Sequence, residues 1–92
     1  MKTFIIVVDH LAEHNEPYSY FSIKAKNLSI AKNLAFIHFR EFEKVYLLKI
    51  LATTKFKNKF IPVCNLYKDG MVNNDVNKHF WDLSMSTVKE LK

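Results

Sequence analysis

The sequence contains few of the residues on which small functional motifs usually depend. It has one glycine, two prolines and one cysteine among 92 residues, and a single arginine beside thirteen lysines. One glycine excludes a glycine-rich phosphate-binding loop. One cysteine excludes an internal disulfide and favours a reducing cytoplasm as the compartment. The scarcity of arginine argues against base-specific readout, because arginine makes the commonest specific contacts with base edges.

Long apolar runs and targeting features are also missing. No apolar run reaches about 18 residues, the length that a membrane-spanning helix needs. The first residues lead to Asp9 without a small-residue cleavage site, so we expect neither a membrane span nor a signal peptide. A hydrophobic content of 49% suffices for one core, which predicts a single small domain over residues 1–92.

Acidic residues are almost absent from the middle of the chain. Residues 24–68 contain nine lysines and one arginine against Glu41 and Glu43, a net charge of +8, whereas the whole chain is +5. Such a one-sided block predicts an anionic partner, which is a nucleic acid, an acidic protein face or a membrane surface. Because lysine acts as a mobile point charge, contact with a phosphate backbone or an acidic surface is favoured over sequence reading.

Hydrophobic patterns predict an α+β domain of order ββαβββ, with one helix packed on one face of an antiparallel sheet. The predicted strands are Thr3–Asp9, Tyr18–Lys26, Val45–Thr54, Phe60–Tyr67 and His79–Leu83. The first is apolar on both faces and therefore central, and Pro62 places the fourth at an edge or a bulge. Asp69-Gly70 signals a turn. The capping-box spacing of Thr87 and Glu90 predicts one helical turn over Ser86–Leu91.

The helix is predicted to be capped by Ser29 and to end near Phe42 or Glu43. Residues at three- and four-residue spacing form its apolar face: Ala31, Leu34, Ala35, His38 and Phe42. The opposite face carries Lys32, Asn33, Phe36 and Arg40, so the Phe36 ring is expected off the core as an anchor for a partner. The predicted common core consists of Phe21, Ile23, Leu34, Ala35, Leu48 and Ile50.

Basic and aromatic residues together predict a binding surface. In an extended segment Lys55, Lys57 and Lys59 would share one side, and on the outer face of the second strand Lys24 and Lys26 follow Tyr18 and Tyr20. Sheet faces of this kind bind single-stranded nucleic acids. Solvated lysines that protect sheet edges from aggregation are the alternative. The predicted partner-binding residues are Tyr18, Tyr20, Lys24, Lys26, Lys32, Phe36, Arg40, Lys55, Lys57 and Lys59.

No group of catalytic or metal-binding residues indicates a function as strongly as the basic block does. His38 is expected as a core residue, and Cys64 as a small strand residue with nothing nearby to lower its pKa. His10 and His14 lie in an acidic loop without a second ligand pair, so no metal is expected. We therefore predict a protein that is not an enzyme and has no cofactor. A small nuclease that uses His38 or His79 is the weakest alternative.

The progression of elements resembles small anti-CRISPR proteins of phages and mobile elements, namely type I-F inhibitors with a ββαβββ layout. Four segments carry the resemblance: a first strand that opens on Met1-Lys2, the helix entry over residues 25–32, the hairpin Leu66-Tyr67-Lys68-Asp69-Gly70 and the aromatic strand His79-Phe80-Trp81-Asp82. Inhibitors of this kind are compact and non-enzymatic, and they block target DNA pairing by binding the guide-RNA surveillance complex.

The resemblance therefore implies an inhibitor that acts in the host-cell cytoplasm by binding subunits of a CRISPR surveillance complex and contacting its guide RNA. Many such inhibitors are acidic DNA mimics, whereas this chain is basic. That difference argues against mimicry and favours contact with guide RNA, an acidic protein patch or DNA itself. The alternative function is a small basic protein that binds single-stranded nucleic acid directly through its second strand.

Overall fold

The computed structural model describes residues 1–10, 18–39, 45–67 and 69–91. In these ranges the chain forms one α-helix, seven strands and one 3₁₀ turn at Met85–Thr87. The strands and the helix, in chain order, are β1 (Lys2–His10), β2 (Ser19–Ala25), α1 (Leu28–Phe39), β3 (Val45–Thr53), β4 (Lys59–Tyr67), β5 (Val72–Asn73), β6 (Trp81–Asp82) and β7 (Val88–Glu90). The α+β class is confirmed, and so is the extended conformation of β3.

The long strands form the centre of a mixed, mostly antiparallel sheet. β1 lies between β2 and β3, and β4 pairs with the other side of β3. All three of these pairings are antiparallel, as the sequence predicts for the sheet. At one edge β7 runs parallel to β2, and at the other edge β5 and β6 both pair with β4.

The C-terminal region differs from the prediction. Val88–Glu90 is a strand and not part of a helical turn, because these residues pair with Tyr20–Ser22 and the Leu91 N–H donates to the Ser22 carbonyl at 2.9 Å. Together with β5 at Val72–Asn73, this strand brings the total to seven, two more than the five that were predicted. Strands of two or three residues leave too little periodicity for a sequence pattern to reveal them.

Both faces of the sheet are buried. On β1, Phe4, Ile6 and Val8 join the cluster beneath α1, and Ile5 and Val7 join a second cluster on the opposite face. This alternation confirms that β1 is central and apolar on both faces. The second cluster also contains Leu51, Phe60 and Leu83, with Tyr20, Trp81 and Val88 packed around it.

The C-terminal segment covers that opposite face. β6 pairs with β4 at one edge of the sheet, and β7 pairs with β2 at the other edge. Residues 81–88 must therefore cross the sheet, and the buried Leu83 side chain lies on the face that α1 leaves open. We call residues 81–88 the crossing segment. Its presence means that the outer face of β2 is partly covered and not open as the single-helix layout predicts.

The helix is rotated relative to the prediction. Ala31, Ala35 and Phe39 are its buried residues, whereas the Leu34 side chain is 41% exposed and His38 is also exposed. Phe36 is half-buried and packs against the helix-side cluster, so its predicted place off the core is wrong. The observed orientation leaves the His38 imidazole exposed and buries the Phe39 ring, and both placements are energetically favourable.

The start of the helix also differs from the prediction. The Ile30 N–H donates to the Asn27 Oδ1 at 2.9 Å, and the Ala31 N–H donates to the Asn27 carbonyl at 3.1 Å, so Asn27 and not Ser29 is the cap. Both residue types are good caps, and the pattern alone did not separate them. The predicted helix end near Phe42 or Glu43 lies outside the described residues.

Two local predictions on β4 and its exit are confirmed. Ile50 pairs with Cys64 and Leu51 with Pro62, so Val63 is an extra residue and Pro62 adjoins a bulge. In the following turn the Met71 N–H donates to the Asp69 carboxylate at 2.9 Å, and Gly70 has φ of 92°. Glycine suits that left-handed conformation because it lacks a Cβ.

Candidate anion-binding interface

The strand register brings basic residues from three separate segments to one end of the sheet. β1 begins where β2 ends, since Lys2 lies opposite Ala25 and Thr3 lies opposite Lys24. On the other side of β1, Phe4 lies opposite Ala52, so β3 ends and turns into β4 at the same place. We call this region the basic end. Its residues are Lys2, Lys24, Lys26, Lys55, Lys57 and Lys59.

Carboxylates offset little of this charge. Asp82 pairs with Lys59 at 2.9 Å, and Glu90 lies opposite Ser22, two residues from Lys24 along β2. Within the described ranges no carboxylate forms an ion pair with the other five lysines, and Lys2, Lys24, Lys26, Lys55 and Lys57 are exposed. Several unpaired ammonium groups at the end of one small domain create a positive potential that attracts polyanions.

The turn between β3 and β4 has a fixed conformation. The Thr54 hydroxyl accepts from the Phe56 N–H at 3.1 Å and donates to the Lys59 carbonyl at 2.9 Å. Asn58 adopts a left-handed conformation with φ of 63°, and its carbonyl accepts from the Leu83 N–H at 2.9 Å. The turn is thus tied both to its own strands and to the crossing segment. Residues 55–58 are not extended, so the predicted alternation of three lysines on one side is wrong.

An exposed aromatic ring stands among the lysines of this turn. The Phe56 side chain is 51% exposed, and the Lys55 Nζ lies 5.3 Å from the centre of its ring. An ammonium at that distance interacts favourably with the ring face. The turn therefore presents an aromatic surface and positive charge side by side.

The tyrosines predicted on β2 do not belong to the basic end. Tyr18 is exposed, but its ring lies 5.9 Å from that of Trp81. Tyr20 is half-buried against the opposite-face cluster and pairs with Val88. Lys24 lies four residues beyond Tyr20, on the order of 13 Å along an extended strand. The tyrosines and lysines of β2 therefore do not form one compact platform.

The helix residues predicted for partner binding are also dispersed. Lys32 is half-buried on the side of α1 that faces the sheet. Phe36 faces the Gly70 turn, where a Cβ on Gly70 would lie 3.7 Å from the Phe36 ring. Arg40 lies outside the described residues. The structure therefore brings together Lys24, Lys26, Lys55, Lys57 and Lys59 of the predicted set.

Two residues of this end were not in the predicted set. Lys2 joins it through the register of the β1–β2 hairpin, which a hairpin alignment from the sequence could have revealed. Phe80 precedes β6 and is 52% exposed. The β6–β4 pairing places it beside the basic end, two residues inward from the pair of Lys59 and Asp82, because Trp81 lies opposite Phe60. A pairing between residues more than twenty positions apart gives no local sequence signal.

A second surface lies on the exposed side of α1. Ile30, Leu34 and Ile37 follow one another at four- and three-residue spacing, and the Ile37 side chain is 60% exposed. Residues at this spacing form one ridge on a helix. An open groove of about 450 Å³ lies beside the ridge, between the helix and the C-terminal segment, and its lining includes Leu34, Met85 and Lys24. We call these three helix residues the apolar ridge.

The remaining reactive side chains do not form a second site in the described part of the chain. Cys64 is fully buried in β4, and this burial raises the pKa of its thiol, while Lys32 and Lys78 act in the opposite direction. The thiol is therefore neutral near pH 7. Residues 1–10, 18–39, 45–67 and 69–91 contain no group of three or more potential metal ligands. His14, which was considered with His10, lies outside those ranges.

Comparison with protein-family models, with curated proteins and with solved structures found no match to this chain. Among the described residues, no helix has the length and apolar character that crossing a membrane would require. The geometry and charge of the basic end and of the apolar ridge are therefore the features that indicate a function.

Proposed function

We propose that this protein binds the phosphate backbone of a nucleic acid through its basic end and catalyses no reaction. The observation that carries the proposal is the register, which gathers lysines from β1, β2 and the β3–β4 turn at one end of the sheet. Five of these ammonium groups have no carboxylate partner among the described residues. Phosphates would release their counterions when these lysines neutralise them, and this release drives binding.

Lysine chemistry fits a backbone contact. An ammonium is a mobile point charge with three donors, whereas base-specific contacts in the major groove most often use arginine. All six basic residues of this end are lysines. The proposed binding is therefore largely independent of base sequence, and its effect on other molecules comes from occupying a strand.

Inhibition of a CRISPR RNA-guided surveillance complex in the host-cell cytoplasm is a second candidate function. The apolar ridge favours it, because the outer side of α1 offers an uncharged contact surface for a protein subunit. Neighbouring Lys24 and Lys26 would at the same time reach guide RNA held by that subunit. In this form of the proposal the protein acts by steric occlusion of target DNA.

The direct test measures binding of labelled oligonucleotides at several salt concentrations. With about five neutralised phosphates, the logarithm of the association constant should fall with a slope of up to about −3.5 against the logarithm of salt concentration. The double variant Lys55→Glu/Lys57→Glu should weaken binding strongly and flatten the slope. Lys89→Glu on β7 makes the same type of charge change away from the basic end and is the matched control. Absence of binding by the wild type at low salt would refute the proposal.

The inhibitor form needs its own experiment. Purified surveillance complexes of several CRISPR types are mixed with target DNA in the presence and absence of the protein. A stoichiometric blocker gives inhibition that titrates with the concentration of the complex. Leu34→Asp should then abolish inhibition while oligonucleotide binding by the basic end is retained. Unhindered target binding at a large molar excess of the protein would refute this form alone.

A further inference from the structure

Resting on the proposed function, we infer that the nucleic acid bound at the basic end is single-stranded and that its bases stack on Phe56 and Phe80. These two residues and the lysines around them form a corner where the β3–β4 turn meets β6. We call it the aromatic corner. It differs from the tyrosine surface on β2 that the sequence predicts.

The exposure of these two rings is unusual within this protein. The other described phenylalanines are buried or half-buried: Phe4, Phe21, Phe36, Phe39 and Phe60. Phe56 and Phe80 each leave about half of the side chain in contact with water. The exposed half of each ring contributes no hydrophobic burial energy to the stability of the fold. That both exposed rings lie at the basic end favours a role in binding.

The pairing of β4 places both rings close to the same lysine. The Lys59 N–H donates to the Phe56 carbonyl at 3.3 Å, and Lys59 lies opposite Asp82, two residues after Phe80. Both residues therefore lie near the start of β4, Phe56 in the turn that leads into it and Phe80 just before the strand that pairs with it. Trp81 packs into the opposite-face cluster, so strand alternation turns the neighbouring Phe80 away from that cluster.

The corner is also preorganised for a nucleotide. The Thr54 hydroxyl and the Leu83 N–H fix the turn that carries Phe56. The Lys55 ammonium lies over the Phe56 ring, 5.3 Å from its centre, so a nucleotide that contacts this ring would meet a cation beside it. A fixed turn loses little conformational freedom on binding, which strengthens the interaction.

The aromatic rings distinguish a single strand from a duplex. In a duplex the faces of the bases are covered by their neighbours, whereas an unpaired base exposes a face on which a side chain can stack. Stacking of this kind tolerates any sequence because every base has a π-face. Lysines for the backbone and rings for the bases therefore match a single strand of variable sequence.

The test compares a normal single-stranded oligonucleotide with an abasic strand of the same length, which keeps the phosphates and lacks the bases. Phe56→Ala and Phe80→Ala should each weaken binding of the normal strand by about 5- to 100-fold. Binding of the abasic strand and the salt slope should stay unchanged, because no phosphate contact is removed. Phe56→Trp should preserve or tighten binding of the normal strand.

Met71→Ala, which truncates an exposed apolar side chain in the turn before β5, is the matched control and should have no effect. Thermal unfolding of each variant verifies that the fold is intact. The inference is overturned if both alanine variants bind the normal strand as the wild type does, if they weaken the abasic strand equally, or if duplex DNA binds as tightly as the single strand. The proposed backbone binding survives those results as long as Lys55→Glu/Lys57→Glu weakens binding. If the wild type binds neither strand at low salt, both proposals fail.

Discussion

The two faces of the sheet are covered by different kinds of structure. On one face, α1 buries a row of side chains four residues apart, Ala31, Ala35 and Phe39. On the other face, the crossing segment forms only the short 3₁₀ turn at Met85–Thr87 and no α-helix, and it buries Leu83 over Ile5 and Val7. Because β1 is apolar on both faces, both covers are needed to exclude water. A strand that is apolar on both faces therefore needs a cover on each face, and here a largely irregular segment covers the second one.

The two covers also differ in their relation to the candidate site. α1 starts next to the basic end, and its apolar ridge borders a groove that Lys24 also lines. The crossing segment is joined to the basic end itself, through the Leu83 N–H to the Asn58 carbonyl and through Asp82 to Lys59. Changes in the crossing segment should therefore affect nucleic-acid binding, whereas changes in the core beneath α1 should affect mainly stability.

The largest expected effect is on the helix-covered face. Phe39→Ala removes a buried ring that packs 5.4 Å from the Phe21 ring, centre to centre. We expect a loss of about 3–5 kcal/mol in the free energy of unfolding, from lost burial and from the cavity left behind. Chemical denaturation followed by circular dichroism measures it. A loss below about 1 kcal/mol would mean that α1 contributes little to the core.

Truncation of a side chain in the crossing segment should lower the free energy of unfolding by less. Leu83→Ala truncates a buried side chain in the smaller cluster, and we expect a loss of about 2 kcal/mol, at the low end for this substitution because the segment can relax. Amide hydrogen exchange should quicken first at the Leu83 and Leu91 N–H groups, before the amides of β1. Equal acceleration throughout the sheet would show that the two covers unfold as one unit.

The sequence predicted those features of the two faces that depend on hydrophobic periodicity. The pattern on β2 placed Phe21 and Ile23 in the core beneath α1, and the continuous apolar run made β1 central. The orientation of α1 was wrong because Leu34 and Ala35 fit two overlapping stripes, and only packing against the sheet decides between them. The crossing segment was not predicted, since its strands have two or three residues and pair over long sequence distances.

The candidate site was predictable in its composition but not in its assembly. The charge block identified Lys24, Lys26, Lys55, Lys57 and Lys59, which the register then gathers at one end. The tyrosines of β2 were assigned to the same surface because alternation reports a face of a strand and not a position along it. Phe80 reaches the corner only through the β6–β4 pairing, which tertiary structure alone establishes.

Cys64 lies in the core beneath α1, and its titration gives a pH test of how well α1 covers that core. Burial raises the pKa of the Cys64 thiol above its ordinary value of 9.0. The unfolded chain therefore loses this proton at lower pH than the folded chain does. The resulting stabilisation is complete below pH 9 and is lost as the pH rises toward the folded pKa, by at most about 1.4 kcal/mol per pH unit.

Cys64→Ala should accordingly flatten the fall in stability between pH 8.5 and 10, relative to the wild type. The variant is less stable at every pH because a buried side chain is truncated, so the informative quantity is the slope and not the absolute value. Denaturation at a series of pH values measures it. Parallel curves for the two proteins would show that the thiol ionises equally in both states.

The smallest expected effect on stability lies where the crossing segment meets the basic end. Asp82→Asn breaks the ion pair with Lys59, whose two side chains are both largely exposed, so the free energy of unfolding should change by less than about 1 kcal/mol. The same change releases an ammonium and removes a negative charge beside it. Oligonucleotide binding should therefore tighten, and the salt slope should steepen by up to about 0.7. Asp75→Asn, which alters charge equally in the connection between β5 and β6, should leave both quantities nearly unchanged. If both variants tighten binding alike, net charge and not the basic end controls association; if Asp82→Asn loosens binding, the ion pair acts by holding the aromatic corner in shape.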